Sequence, residues 1–170
     1  MLPTVNNRRE SSLYGPILDL FGKTYHTFAE VPFGRRSVDL VFAHSDFNEI
    51  TAVEVKISNW RQALRQAAIN QLFADRSFVA IDDGSTASRV PQAVEASFRD
   101  LGVGLIIVGT DIRIAIEAEY SNSIVSRHRS AVLKVLASAT KKKTIARGEL
   151  ENGETAESRR SAAFLPAGTH

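Results

Sequence analysis

Apolar residues recur at regular spacings along the first part of the chain. In the stretch ESSLYGPILDLF they lie three or four positions apart, which predicts a helix over residues 10–21 with one apolar face. Residues 25–31 alternate loosely between apolar and polar and are rich in strand formers. They predict a strand that Pro32 and Gly34 close.

Two further strands are predicted over residues 37–43 (SVDLVFA) and 50–57 (ITAVEVKI). The polar stretch HSDFN between them is typical of a turn, so the two strands should pair as a hairpin. The following stretch, NWRQALRQAAINQLFA, carries one apolar stripe and predicts a helix over residues 59–74. Ser58 or Asn59 can cap this helix.

The rest of the chain continues to alternate between strands and helices. The pattern predicts a short strand, an amphipathic helix, a strand apolar on both faces, an alternating edge strand and a last helix, at residues 77–81, 90–101, 102–109, 111–118 and 124–137. This order indicates an α/β fold in which helices flank a mixed central sheet. We predict one domain over residues 1–138, followed by a polar, flexible tail over 139–170.

The composition restricts the class of protein. A chain of 170 residues is long enough for one domain with a sizeable core. The absence of cysteine excludes disulfides and thiolate metal sites and favours a reducing compartment. The N-terminus lacks the apolar run of a secretory signal, and no stretch approaches the roughly 20 apolar residues of a membrane span. We therefore expect a cytoplasmic protein that does not contact a membrane.

The net charge of +2 is unevenly distributed along the chain. Residues 120–147 contain seven basic side chains and no acidic one. Such a segment can provide a basic face for a polyanion, but a solvated helix followed by a tail explains the same pattern.

The strand TAVEVKI contains two ionised side chains, Glu54 and Lys56, among apolar residues. Burying charge in a sheet is costly unless the charge is paired or holds a metal. A hairpin turn centred between Asp46 and Phe47 pairs residues whose numbers add up to 93, which places Asp39 opposite Glu54. Because side chains alternate along a strand, Lys56 should lie on the same face as these two carboxylates.

Two carboxylates about 5 Å apart across a strand pair repel each other. A divalent cation between them removes that repulsion, and oxygen ligands suit Mg²⁺, for which Mn²⁺ can substitute. The alternative is that Asp39 marks a strand end, while Glu54 and Lys56 are neighbours on a solvated face. A one-residue shift of the register would separate the three side chains.

The combination VDLVF followed by EVK resembles the PD-(D/E)XK nuclease superfamily, which has the restriction-endonuclease-like fold. The resemblance covers residues 8–118 and implies an αβββαβ core, which is the order predicted above. It is nearest in pattern to the Holliday-junction-resolvase and RecB-like branches. The proline that often precedes the motif aspartate is replaced here by Val38.

The resemblance implies a set of site residues. Asp39, Glu54 and the backbone carbonyl of Val55 would hold the metal, and Lys56 would complete the catalytic set. Many members place an acidic residue on the first helix, for which Glu10 is the candidate; a helix-terminal carboxylate favoured by the helix dipole explains it as well. Many members also carry a glutamine on the helix after the lysine. Gln66 matches that position best, with Gln62 and Gln71 as alternatives.

The implied function is that of a Mg²⁺-dependent DNA endonuclease acting in repair, recombination, defence or a mobile element. Arg8, Arg9, Arg35 and Arg36 flank Glu10 and Asp39 in sequence and could bind phosphates, which implies weak sequence specificity. A homodimer would suit paired cuts, and the tail could bind a protein partner. The alternative function is a non-catalytic module of the same fold that binds nucleic acid or protein.

Overall fold

The structure of the chain is a computed structural model that describes residues 9–22, 24–83 and 92–141. A 3₁₀ turn, Glu10–Leu13, leads into the first helix. The helices are α1 (Tyr14–Phe21), α2 (Trp60–Asn70), α3 (Gln92–Asp100) and α4 (126–141). The strands are β1 (His26–Phe33), β2 (Arg36–Ala43), β3 (Ile50–Lys56), β4 (Arg76–Asp82), β5 (Gly104–Val108) and β6 (Ile112–Ile116).

The six strands form one mixed sheet in the order β1-β2-β3-β4-β5-β6. Strands β1 to β3 are antiparallel neighbours, and β3, β4 and β5 are parallel, with α2 and α3 in the two connections. Strand β6 pairs antiparallel to β5 at the far edge. The predicted α/β class and the order αβββαβ are confirmed, and the arrangement is consistent with a restriction-endonuclease-like core.

Both faces of the sheet are covered by helices. On one face, Leu13 and Ile17 at the start of the chain pack on alternate residues of β2 and β3, including Val53 and Val55. On the other face, α2 and α3 cover the sheet through apolar residues such as Phe98. Side chains alternate along a strand, so Glu54 lies on the face covered by α2.

The boundaries differ from the predicted ones where local chemistry overrides the pattern. Strand β1 passes through Pro32 to Phe33, because an edge strand tolerates a residue without a backbone N–H. Helix α2 ends at Asn70, whose carbonyl accepts hydrogen bonds from the N–H groups of Phe73 and Ala74 in the following turn. Its predicted cap is confirmed: the Asn59 side chain accepts a hydrogen bond from the N–H of Gln62.

The boundary between two compact units falls between Leu133 and Lys134. In the second unit, residues 134–141 are helical, and the hydroxyls of Ser138 and Thr140 donate to the carbonyls four residues earlier. The predicted tail over 139–170 lies outside the described residues beyond residue 141. None of the described helices is long and apolar enough to cross a membrane.

Candidate active site

The β2–β3 hairpin has the predicted register. Leu40 pairs with Val53, and the pairing continues regularly to Ala43 and Ile50, so each pair of residue numbers adds up to 93. This register is confirmed, and its continuation sets Asp39 opposite Glu54.

The Lys56 ammonium is surrounded by oxygen atoms. It donates to Glu10 Oε2 at 2.9 Å and to the Val55 carbonyl at 3.0 Å, and it lies 3.6 Å from Asp39 Oδ2. Burial alone would lower the pKa of Lys56, but the hydrogen bond to Glu10 and the neighbouring carboxylates raise it. The amine is therefore held in its charged form.

Asp39 faces Lys56 from the neighbouring strand. Its Oδ2 atom accepts a hydrogen bond from the Val55 N–H at 2.7 Å, and its side chain is 15% exposed. Burial raises the pKa of Asp39, and the negative charges of Glu30 and Glu10 add to the effect. The hydrogen bond from Val55 and the charge of Lys56 oppose it.

Glu54 is the most deeply buried acidic residue of this group, with 1% of its side chain exposed. Oε1 accepts hydrogen bonds from Asn70 Nδ2 at 2.8 Å and from Arg36 Nη1 at 3.2 Å. Oε2 is buried and has no hydrogen-bond partner among the described residues. Burial raises the pKa of Glu54 to about 7, with a further contribution from Asp39, against the lowering effect of Asn70 and Arg36. One oxygen is thus held in place, while the other keeps its lone pairs.

Arg36 closes a ring of hydrogen bonds around Glu54. Its second guanidinium nitrogen donates to Asn70 Oδ1 at 2.6 Å and to the Gln66 carbonyl at 3.3 Å. The guanidinium also lies 5.6 Å from the ring centroid of Phe33, within cation–π range. Arg36 therefore bonds inside the protein, whereas its position in the sequence suggested a phosphate ligand.

A second acidic group stands beside the site on β1. Glu30 accepts hydrogen bonds from the Tyr14 hydroxyl at 2.8 Å and from the Ser37 hydroxyl at 3.1 Å. Its φ of 52° is unusual for a residue other than glycine. Burial, and then the hydrogen bond to Glu30, raise the pKa of Tyr14. The sequence does not predict this cluster, because the strand pattern of β1 gives no sign of a positive φ at Glu30.

The predicted glutamine is not the helix residue that contacts Glu54. Gln66 offers its backbone carbonyl to Arg36, and its side-chain Oε1 is buried without a partner among the described residues. The alternatives lie elsewhere, with Gln62 at the start of α2 and Gln71 bonded to the Leu101 carbonyl. Asn70, one helical turn after Gln66, bonds Glu54 instead. A signal for it exists in the sequence, since Asn70 is a polar residue on the apolar stripe of α2.

The other predicted phosphate ligands lie on the surface or outside the described residues. Arg9 and Arg35 are exposed, at the start of the 3₁₀ turn and in the β1–β2 turn. Arg8 lies outside the described residues. The structure therefore leaves Arg9 and Arg35 accessible to a large anion.

The carboxylate and carbonyl oxygens of the site suit a hard cation, but in this structure they are not arranged around a common metal position. When Glu54 is ionised, Glu10, Asp39 and Glu54 carry three negative charges against the two positive charges of Lys56 and Arg36. Carboxylate and carbonyl oxygens are the ligands that Mg²⁺ prefers. Glu54 Oε2 is a buried oxygen of this kind that has no hydrogen-bond partner among the described residues. Within the part of the chain that the structure describes, no group of three or more His, Cys, Asp or Glu is arranged to hold a metal. The residues fit a divalent cation in chemistry and charge, provided that Lys56 moves.

Comparison with solved structures gives matches at low sequence identity. A protein of unknown function from Silicibacter pomeroyi superposes with a TM-score of 0.60 at 20% identity, covering 85% of this chain and 95% of its own. A repair endonuclease from Pyrococcus abyssi gives a TM-score of 0.41 at 12% identity, covering 61% of this chain and 47% of its own. SfsA from Pyrococcus furiosus, in complex with Ca²⁺, gives 0.37 at 11%, covering 65% of this chain and 61% of its own.

The first of these likenesses shows the fold alone, and the other two are too distant to support any conclusion about this chain. No protein-family model matches the sequence, and no curated protein matches it significantly.

Proposed function

We propose that this chain is a metal-dependent DNA endonuclease that hydrolyses phosphodiester bonds with weak sequence specificity. The observation that carries the proposal is the convergence of Asp39, Glu54 and Lys56, which the hairpin register brings to one face of the sheet. Glu10 joins them through its 2.9 Å contact with Lys56.

Each residue has a role that follows from its surroundings. Arg36 and Asn70 fix Glu54 Oε1 and leave Oε2 available as a ligand. Lys56, kept charged by its neighbours, can stabilise negative charge on a phosphate oxygen. The Val55 N–H holds Asp39 in position.

Asp39, Glu54, the Val55 carbonyl and Glu10 would hold Mg²⁺ or, as a substitute, Mn²⁺. Such an ion supplies Lewis-acid chemistry, which activates water and neutralises phosphoryl charge. Exposed Arg9 and Arg35 would hold the backbone on either side of the cut bond.

The test is cleavage of supercoiled plasmid and of branched DNA with Mg²⁺, Mn²⁺ or EDTA. Lys56→Ala and Asp39→Ala are expected to lower the rate of nicking by at least about a hundredfold, the typical effect of removing one such group. Arg113→Ala, on the far edge strand β6, is the matched control for a lost positive charge. Cleavage that survives in EDTA, or in both site variants, would contradict the proposal.

One observation favours a second candidate function, a non-catalytic module that binds nucleic acid or protein. The charges already form pairs within the protein, Lys56 with Glu10 and Arg36 with Glu54. A module of this kind would bind DNA with a strong salt dependence, equally well in wild type and in Lys56→Ala, and would cleave nothing. Fluorescence anisotropy with labelled duplex, run beside the cleavage assay, separates the two functions.

A further inference from the structure

The Lys56 ammonium contacts the oxygens that the proposed metal site would use. Three of the four proposed ligands, Glu10, Asp39 and the Val55 carbonyl, lie within 3.6 Å of Lys56 Nζ. An ammonium and a divalent cation repel each other at such distances, so they compete for these oxygens.

We propose that Lys56 is a built-in competitor of the metal, and that it must leave Glu10 and Val55 before a divalent cation binds. This inference rests on the proposed function, since it concerns the same site. It makes Lys56 the residue that sets the metal affinity of the protein, besides its role toward phosphate.

The surroundings of Lys56 allow this movement. The Lys56 side chain is 14% exposed, and its partner Glu10 is 43% exposed, so the contact borders solvent. A lysine ammonium sits on a flexible four-carbon stem and makes no fixed fork of bonds, unlike an arginine. Arg36, by contrast, is bonded to Glu54, Asn70 and the Gln66 carbonyl and stays in place. Of Lys56 and Arg36, it is therefore Lys56 whose contacts allow it to move away.

The competition predicts that removing the ammonium tightens metal binding. We compare wild type with Lys56→Met, which keeps much of the side-chain length and removes the charge. Isothermal titration calorimetry with Mn²⁺ alone, and separately with Ca²⁺ alone, measures the dissociation constant of the metal in the absence of DNA. Arg65→Met removes an exposed positive charge from α2 and is the matched control. Lys56→Met should lower the dissociation constant about tenfold, which is about 1.4 kcal/mol, while Arg65→Met leaves it within twofold.

The outcomes of this titration separate the competition at Lys56 from the proposed metal site itself. Tighter binding in Lys56→Met alone supports the competition. Equal or weaker binding in Lys56→Met, with clear binding by wild type, overturns the competition and leaves the metal site standing. No binding in either protein at millimolar metal overturns the proposed metal-dependent function together with this inference.

A second measurement uses the wild-type chain, so it does not depend on the folding of a variant. Lys56 is labelled with acetic anhydride, and the labelled fraction is measured by mass spectrometry with and without Mn²⁺. Release of the amine from Glu10 and Val55 should raise the labelling of Lys56 at least about threefold, while exposed Lys134 serves as the internal reference. Unchanged labelling at saturating Mn²⁺ would overturn the inference.

Discussion

Replacing Glu54 by glutamine should stabilise the metal-free protein at pH 8 and leave its stability at pH 4.5 almost unchanged. Glutamine has the shape of the protonated glutamic acid and can accept the same hydrogen bond from Asn70 Nδ2. The two proteins therefore differ mainly in the ionised form of residue 54.

The size of the effect follows from the pKa of Glu54, which burial raises from 4.5 to about 7. A tenfold change in an acid constant corresponds to about 1.4 kcal/mol, so ionised Glu54 costs the folded state about 3 kcal/mol. Between these two pKa values the folded chain holds a proton that the unfolded chain has lost. Stability therefore falls as pH rises through this window. The charges of Arg36, Asp39 and Lys56 already act on this pKa, so they are included in the figure.

The assay is urea unfolding in EDTA, followed by fluorescence of the single tryptophan and by circular dichroism between pH 4.5 and 8. The free energy of unfolding of Glu54→Gln minus that of wild type should grow by about 3 kcal/mol across this range. Glu117→Gln, which removes an exposed carboxylate beyond β6, controls for the loss of one negative charge. A difference that stays constant within about 0.5 kcal/mol would refute the claim that Glu54 is ionised at a cost in the folded protein.

Three further substitutions test the packing around the site. Asn70→Leu removes the 2.8 Å hydrogen bond to fully buried Glu54 and should lower the free energy of unfolding by about 2 kcal/mol in urea titrations; a loss below about 0.5 kcal/mol would contradict the role given to Asn70. Because Glu30 has a φ of 52°, Glu30→Gly should be about 1 kcal/mol more stable than Glu30→Ala; the reverse order in the same titration would show that the backbone there is not strained. At Gly104 a Cβ would overlap the ring of Phe78, so Gly104→Ala should lower the melting temperature by several degrees, equivalent to about 2 kcal/mol; an unchanged melting temperature would mean that the ring moves freely.

The hairpin could be predicted from sequence because two independent constraints agree on it. Alternation of apolar residues fixes which side chains of β2 and β3 face each other, and a short polar turn fixes the register. Within the turn, Asn48 bonds the Asp46 carboxylate as expected of such residues, whereas Phe47 adopts a φ of 57°, which is unusual for a bulky side chain. Once the register was known, the position of Asp39 opposite Glu54 followed from counting.

The contacts that α2 and β2 make with Glu54 could not be predicted from the sequence in the same way. Gln66 and Asn70 lie one helical turn apart on nearly the same face of α2, so the position of the helix along the sheet decides which of them reaches Glu54. Sequence spacing does not specify that position. Arg35 and Arg36 are adjacent in sequence and were treated alike, yet the strand begins between them. Arg35 stays in the exposed turn, while Arg36 is the first residue of β2 and bonds Glu54.

The charges within β3 are only partly balanced by the neighbouring side chains that the structure describes. Lys56 pairs with Glu10 and lies 3.6 Å from Asp39, and Arg36 pairs with Glu54. Ionised Glu54 still costs about 3 kcal/mol after these pairings are counted, and it leaves the group with one net negative charge. Domains are stable by only about 5–15 kcal/mol, and an apolar residue at position 54 would avoid that cost, as Val53 and Val55 on either side do on the opposite face. A strand that keeps such a carboxylate is better suited to bind a cation from outside the chain than to stabilise the sheet.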